Sequence, residues 1–317
     1  MSSESGVRIC VVGVGRMGLP LCTSFVRAGH SVIAFDSHSE VAAAVRGAGA
    51  RWAASLADAV SGAEIVVSML PTVESTIEVA GAAMPLMTAG GVWIDMGSNT
   101  PATSVALLRS AEPHRIEVLD VPVGGGPSSA MNGTLQLFVG GSRAVFERHR
   151  HLLESVADPG RMHYLGAHGC GYVAKLLVNL QWFGQAIAMT EALLLAQESG
   201  VDLSSMYTAL QLSAVAGRFV DVDLRALLGG NYLTTFGLAG CYEELAAVCD
   251  LAADTGTPFA VSGAITDIYR QALEAFGPVD GELMGAAFLE MKAGRSLRAD
   301  LPSARNIGSP HADDRRP

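Results

Sequence analysis

Apolar positions come in short unbroken blocks through the first half of the chain and at helical spacing through the second. Blocks at 7–12, 31–35, 65–70, 92–95, 116–119, 135–139 and 162–165 read as strands, with helical patterns between most of them. This alternation predicts an α/β fold with a doubly wound, mostly parallel sheet and helices on both faces. From Gly169 onward the strand signals stop. Residues 171–199 form one helical pattern ending at Gly200; at 1.5 Å per residue it would run about 45 Å, long enough to leave the first domain and form the spine of a second. Shorter helical segments follow at 203–214, 217–228, 240–255, 261–275 and 281–291. The expected organisation is an α/β domain over 1–167, an all-helical domain over 168–298 and a disordered tail over 299–317, where prolines and an Asp-Asp-Arg-Arg cluster replace the apolar pattern. A helical domain built on so apolar a helix is expected to bury its excess surface in a homodimer or a larger homo-oligomer.

Gly13-Val14-Gly15-Arg16-Met17-Gly18 lies between the first predicted strand and a helix predicted over 16–28. On a strand-to-helix turn, Gly13 takes the tight turn, Gly15 lets a pyrophosphate approach the backbone, and Gly18 lets the helix pack closely on the strand. The helix N-terminus presents N–H groups and a positive dipole end to the phosphates. The second strand ends at Asp36, where a carboxylate suits the two hydroxyls of an adenosine ribose. Its charge would repel a 2′-phosphate, and Ser37 and His38 supply no arginine. The expectation is NAD, with NADP disfavoured. Met69-Leu70-Pro71 and Ser98 end later strands and are expected along the same cofactor.

Composition narrows the partners. Half the residues are hydrophobic and 16% are charged, with a net charge of −10 from 21 basic and 31 acidic residues. That balance excludes a general nucleic-acid binder, which needs a basic surface. Cys10, Cys22, Cys170, Cys241 and Cys249 have neither C-x-x-C nor metal-ligand spacing and read as reduced core thiols. The polar N-terminus suggests no secretory leader. Lys175, Asn179, Gln181, Gln185 and Glu191 interrupt the most apolar helix, so a membrane span is not expected. The expected setting is the cytoplasm, with a small-molecule substrate, no nucleic-acid or membrane partner and no metal.

Candidate chemistry concentrates where the long helix begins. Lys175 and Asn179 are i,i+4 and share a helix face. Partial burial would bring a lysine toward acid/base use, while a lysine snorkelling into water remains the plain alternative. Gly124-Gly125-Gly126 follows the strand ending near Asp120, where consecutive N–H groups can cradle a carboxylate or simply make a flexible turn. His149 and His151 belong to an arginine-rich, solvated helix face; His163 and His168 lack further ligands for a metal.

Taken in order, Gly13-x-Gly15-x-Met17-Gly18-x-Pro20, the Met69-Leu70-Pro71 turn, Asp120-x-Pro122-Val123-x-Gly125-Gly126 and Gly169-x-Gly171-x-x-x-Lys175-x-x-x-Asn179 resemble the β-hydroxyacid dehydrogenases over about residues 7 to 292. The resemblance implies a Rossmann-type sheet followed by an all-helical dimerisation domain, and hydride transfer between a nicotinamide and a small 3-hydroxyacid or semialdehyde. It makes Lys175 the acid/base and Asn179 a substrate ligand. Three positions depart from the family pattern. Gly124 stands where a serine helps hold the substrate carboxylate, Gly97 replaces a further serine beside Ser98, and Glu243 stands where a lysine faces the substrate. A glutamate there would favour a cationic substrate, so an imine reductase is a second reading. A nucleotide-binding interaction module without catalysis is a third.

Overall fold

The computed structural model describes residues 7–301, which divide into two units between Asn179 and Leu180. The first unit runs β1 (Arg8–Val12), α1 (Gly18–Arg27), β2 (Ser31–Phe35), α2 (Ala42–Gly47), β3 (Arg51–Trp52), α3 (Leu56–Val60), β4 (Ile65–Ser68), α4 (Val73–Ala83), β5 (Val92–Asp95), α5 (Pro101–Ala111), β6 (Glu117–Asp120), β7 (Val123–Gly124), α6 (Pro127–Asn132), β8 (Leu135–Gly141), α7 (Arg143–Leu153) and β9 (Ala157–Gly166). Helix α8 (Cys170–Glu198) opens in this unit and continues into the next. The second unit then holds α9 (Leu203–Gln211), a π-helical run Phe219–Leu224, α10 (Arg225–Leu228), α11 (Leu238–Thr255), α12 (Ala260–Phe276) and α13 (Met284–Ala293).

Strand side chains alternate between two buried layers. Ile9 and Val11 of β1, Ile65 and Val67 of β4, and Val92 and Ile94 of β5 enter one layer, where Leu21 and Phe25 of α1 cover them. Cys10, Val12, Val66 and Trp93 enter the other, against Ala80 and Ala83 of α4 and Leu107 of α5. Both faces of the strands are therefore apolar, and this produces the unbroken hydrophobic blocks of a doubly wound sheet.

From β3 through β2, β1, β4 and β5 to β6 all pairs are parallel. The chain reverses its direction of travel across the sheet between β1 and β4, and α/β sheets of this order bind ligands in the crevice at that point. The far side differs from a simple parallel sheet. β8 is antiparallel to β6, through Leu119↔Gly141 and Asp120↔Gly140, and antiparallel to β7, through Val123↔Leu137 and Gly124↔Gln136. These pairs keep one register, so β7 continues β6 along a single edge of β8. β9 lies parallel on the other edge. The two-residue strands β3 and β7 are too short to leave a hydrophobic period.

Beyond Leu180 the described residues form helices, with one isolated bridge, Gly237↔Asp280. Leu193, Tyr207, Phe219, Leu224, Leu227, Leu283 and Leu297 share a core there. Among the described residues no helix is long and apolar enough to cross a membrane. The tail expected over 299–317 lies outside the described residues from 302 on; before that, the Ala299 N–H donates to the Leu228 carbonyl at 3.2 Å. All five cysteines are free thiols. Burial pushes the Cys10 and Cys22 thiols up to about 12, with their mutual proximity adding to the effect at Cys10, so both stay protonated and unreactive at neutral pH.

Candidate functional site

The glycine turn forms at the β1/β4 crevice. Gly13 has φ +89°, and a Cβ there would lie 2.3 Å from the Met69 carbonyl oxygen. A Cβ on Gly18 would lie 1.9 Å from the Gly13 carbonyl oxygen. Both positions therefore exclude every side chain. Gly15 is the opposite case: a Cβ would meet nothing within 4 Å, and both Gly15 and Arg16 are exposed. That is the cradle a phosphate needs, an open approach to backbone N–H groups between two sterically required glycines. α1 starts after Met17 with no side-chain cap and no acidic residue in its first turn, so no side chain of its own competes for the helix N-terminus.

Asp36 closes the cradle from β2. Its Oδ2 accepts the Val14 N–H at 2.6 Å and its Oδ1 the His38 N–H at 2.9 Å, with the His38 ring Nδ1 3.2 Å away. Partial burial pushes this carboxyl up, but the His38 and Val14 N–H groups and the His38 ring outweigh it and hold the group below its ordinary value. Asp36 is thus an anion at neutral pH with lone pairs left over for ribose hydroxyls. Met69 and Leu70 are half-buried beyond β4, and Pro71 is exposed. Ser98 is exposed while Gly97 is buried, with a Cβ at 97 reaching within 3.1 Å of Asn99 Nδ2 and 3.3 Å of the Leu70 carbonyl. Crowding at 97 leaves Ser98 as the hydroxyl available on this loop.

The second half of the candidate site stands on two buried aspartates. Asp95 and Asp120 are register partners at the ends of adjacent strands, and both are fully buried. Asp120 accepts the Gly169 and Gly171 N–H groups, each at 2.9 Å, through separate oxygens. Asp95 accepts Ser68 Oγ at 2.5 Å, Tyr172 OH at 2.7 Å and Asn99 Nδ2 at 2.7 Å. Burial pushes both carboxyls above their ordinary range despite these donors. Together they tie the first turn of α8 to the sheet. The contact is close enough that a Cβ at Gly171 would lie 2.4 Å from the Phe138 carbonyl oxygen, and one at Gly140 would lie 2.2 Å from Asp120 Oδ2.

One turn past this anchorage, Lys175 Nζ donates to Asn179 Oδ1 at 2.9 Å, and both residues are half-buried. The expected i,i+4 pair is thus a hydrogen-bonded pair. Gly125 and Gly126 are exposed beyond β7, with φ +101° at Gly125; among the described residues their N–H groups have no hydrogen-bond acceptor. Gly124 is half-buried within β7. Glu243 is exposed on α11 in the second unit, next to the buried Glu244. The sequence reading missed Asp95, Asp120 and Tyr172 as functional supports. The available signal was an acid ending each of two apolar strands.

Residues 8–169 match the NAD binding domain of 6-phosphogluconate dehydrogenase, and residues 169–284 match a family described as NAD-binding of NADP-dependent 3-hydroxyisobutyrate dehydrogenase. The chain belongs to the β-hydroxyacid dehydrogenase family. Membership makes it an NAD-binding oxidoreductase acting on an alcohol carbon. Among curated relatives, 2-(hydroxymethyl)glutarate dehydrogenase of Eubacterium barkeri is 25% identical over 84% of this chain and 89% of its own length. A probable 3-hydroxyisobutyrate dehydrogenase of Mycobacterium tuberculosis is 30% identical over 83% and 91%. The solved structure of Mycobacterium tuberculosis 3-hydroxyisobutyrate dehydrogenase with L-serine superposes with a TM-score of 0.82 at 26% identity, covering 90% of this chain and 99% of that one.

The buried tie at Asp95 yields a stability prediction. Tyr172→Phe removes one donor from a buried carboxylate without opening a cavity and should destabilise the protein by about 1–3 kcal/mol. Urea denaturation followed by far-UV circular dichroism measures it; an unchanged midpoint would show that the tie contributes nothing.

Proposed function

We propose that the protein is an NAD-dependent 3-hydroxyacid dehydrogenase or semialdehyde reductase in which Lys175 is the acid/base. The observation that carries this reading is the hydrogen-bonded Lys175–Asn179 pair one turn beyond the α8 anchorage. The bound nicotinamide supplies the hydride acceptor in oxidation and the donor in reduction. Lys175 Nζ takes the hydroxyl proton as the alcohol is oxidised and returns a proton to the carbonyl oxygen in the reverse direction. Asn179, whose Oδ1 accepts from Lys175, is the second contact to substrate oxygen. The Gly125 and Gly126 N–H groups, with Gly124 beside them, hold the substrate carboxylate. The retained lysine favours an alcohol or carbonyl substrate over an imine, because its ammonium would repel a cationic iminium.

Gly13, Val14, Gly15, Arg16, Met17 and Gly18 would hold the cofactor's pyrophosphate, Asp36 would meet its adenosine ribose, and Met69, Leu70, Pro71 and Ser98 would line the rest of it. The helical domain from 168 to 298 mediates homodimerisation. Leu195, Leu212 and Val261, at 68%, 84% and 75% exposed in the single chain, are apolar surface that such a dimer could cover. The proposed setting is the cytoplasm, in keeping with five free thiols.

Three measurements check these statements. Lys175→Ala should lower kcat about 10²–10⁴-fold in a spectrophotometric NADH assay on the preferred hydroxyacid while NADH still binds; wild-type kcat would overturn the mechanism. The ratio of kcat/KM for NAD over NADP should exceed 10-fold by order of magnitude, about the effect of one close charge repulsion, and a ratio near one would remove Asp36 as the discriminator. Light scattering at micromolar concentration should give at least twice the chain mass, and a monomer would refute the dimer.

A further inference from the structure

β8 alternates its side chains across the sheet. Leu135, Leu137 and Val139 enter the core, so Gln136, Phe138 and Gly140 point to the opposite face. That face is the one on which α8 stands, because a Cβ on Gly140 would lie 2.7 Å from the Gly171 nitrogen. Gln136 therefore projects from the sheet on the side where α8 begins, one turn before Lys175.

Gln136 is also the register partner of Gly124. A Cβ built on Gly124 would lie 3.3 Å from Gln136 Cβ and 3.4 Å from Gln136 Oε1. The glutamine side chain thus lies over the space that a side chain at 124 would take, next to the open N–H groups of Gly125 and Gly126. Gln136 is half-buried, and among the described residues its carboxamide makes no hydrogen bond. A half-buried amide without a protein partner among the described residues, beside two exposed glycines, has its donor capacity available to a ligand.

We propose that Gln136 is a specificity-determining residue whose carboxamide N–H donates to the substrate carboxylate held at Gly125 and Gly126. This rests on the hydroxyacid reading above. Gly124 and Gln136 act as one unit: the missing side chain on β7 makes room for the longer one on β8, and a neutral amide replaces what any side chain at 124 would offer. The substrate group so recognised is a small carboxylate, because the Gln136 carboxamide lies at Gly124, next in the chain to the two exposed glycines whose N–H groups have no acceptor among the described residues.

The test uses 3-hydroxypropionate as a probe on the NADH-saturated full-length protein, a combination that cannot react, with binding read by isothermal titration calorimetry. Gln136→Leu keeps the bulk and removes the donor, and should weaken binding about 10–100-fold, as expected for one hydrogen bond to a charged group. Gln136→Glu sets a carboxylate against the probe and should abolish measurable binding. NADH affinity and the thermal midpoint of both variants should match wild type, which separates a lost contact from a lost fold. Probe affinity unchanged in both variants, or no binding by the wild type, overturns the assignment. Wild-type turnover of hydroxyacids with NAD is measured separately, so the functional reading and the role of Gln136 can fail independently.

Discussion

Two hydrogen bonds to one carboxylate set the geometry of everything downstream. A helix begins with N–H groups that have no partner inside the helix, and a buried carboxylate is costly unless matched. Asp120 and the Gly169–Gly171 segment resolve both problems at once, with the positive end of the helix dipole adding to the match. Once the first turn is fixed, helix geometry alone carries Lys175 about 6 Å along the axis from Gly171, and Asn179 as far again. The sheet thereby determines where the Lys175–Asn179 pair stands, although neither residue touches a strand through any bond described above. The glycines at 140 and 171 permit the approach, since either Cβ would collide with Asp120.

The two glycine segments of the first unit do different work. In the β1–α1 turn, Gly13 and Gly18 are demanded by backbone collisions on both sides, and the open position between them is Gly15. This arrangement leaves one open approach to the backbone. In the loop after β7, only Gly125 has a left-handed backbone, while Gly126 is extended and a Cβ there would meet nothing within 4 Å. The backbone leaves that loop free to vary, and its character is set instead by the side chains that lean on it. On the proposed assignment, a turn set by backbone sterics and a loop set by neighbouring side chains let substrate choice change without disturbing the cofactor turn.

Local features were legible in the sequence. The β1–α1 turn, the end of β2 at Asp36 and the pairing of Lys175 with Asn179 each depend on residues close in the chain, and each stands where the pattern put it. Strands β2 and β5 match the expected 31–35 and 92–95, because both their faces are buried and the apolar run has clear ends. Long-range features were not legible. Asp95 and Asp120 looked like ordinary strand-ending acids, since the partners that bury them, Tyr172 and Gly169–Gly171, lie dozens of residues away. Gln136 stood unnoticed inside the apolar run of β8, because the two-residue β7 that pairs with it leaves no period. The antiparallel turn of the sheet at β8 was hidden for the same reason: burial pattern reports depth, and strand direction follows from which edge the chain returns to.

Asp36 has a further consequence through its bond to Val14. The carboxylate assigned to the adenosine ribose is also a structural brace of the turn that faces the pyrophosphate. Affinity for the cofactor and choice of cofactor therefore share one side chain. An evolutionary route from NAD toward NADP cannot simply discard the acid, because the phosphate turn would lose its brace in the same step. Such a route must first supply Val14 with another acceptor, and the order of substitutions is constrained before any gain for the new cofactor is felt.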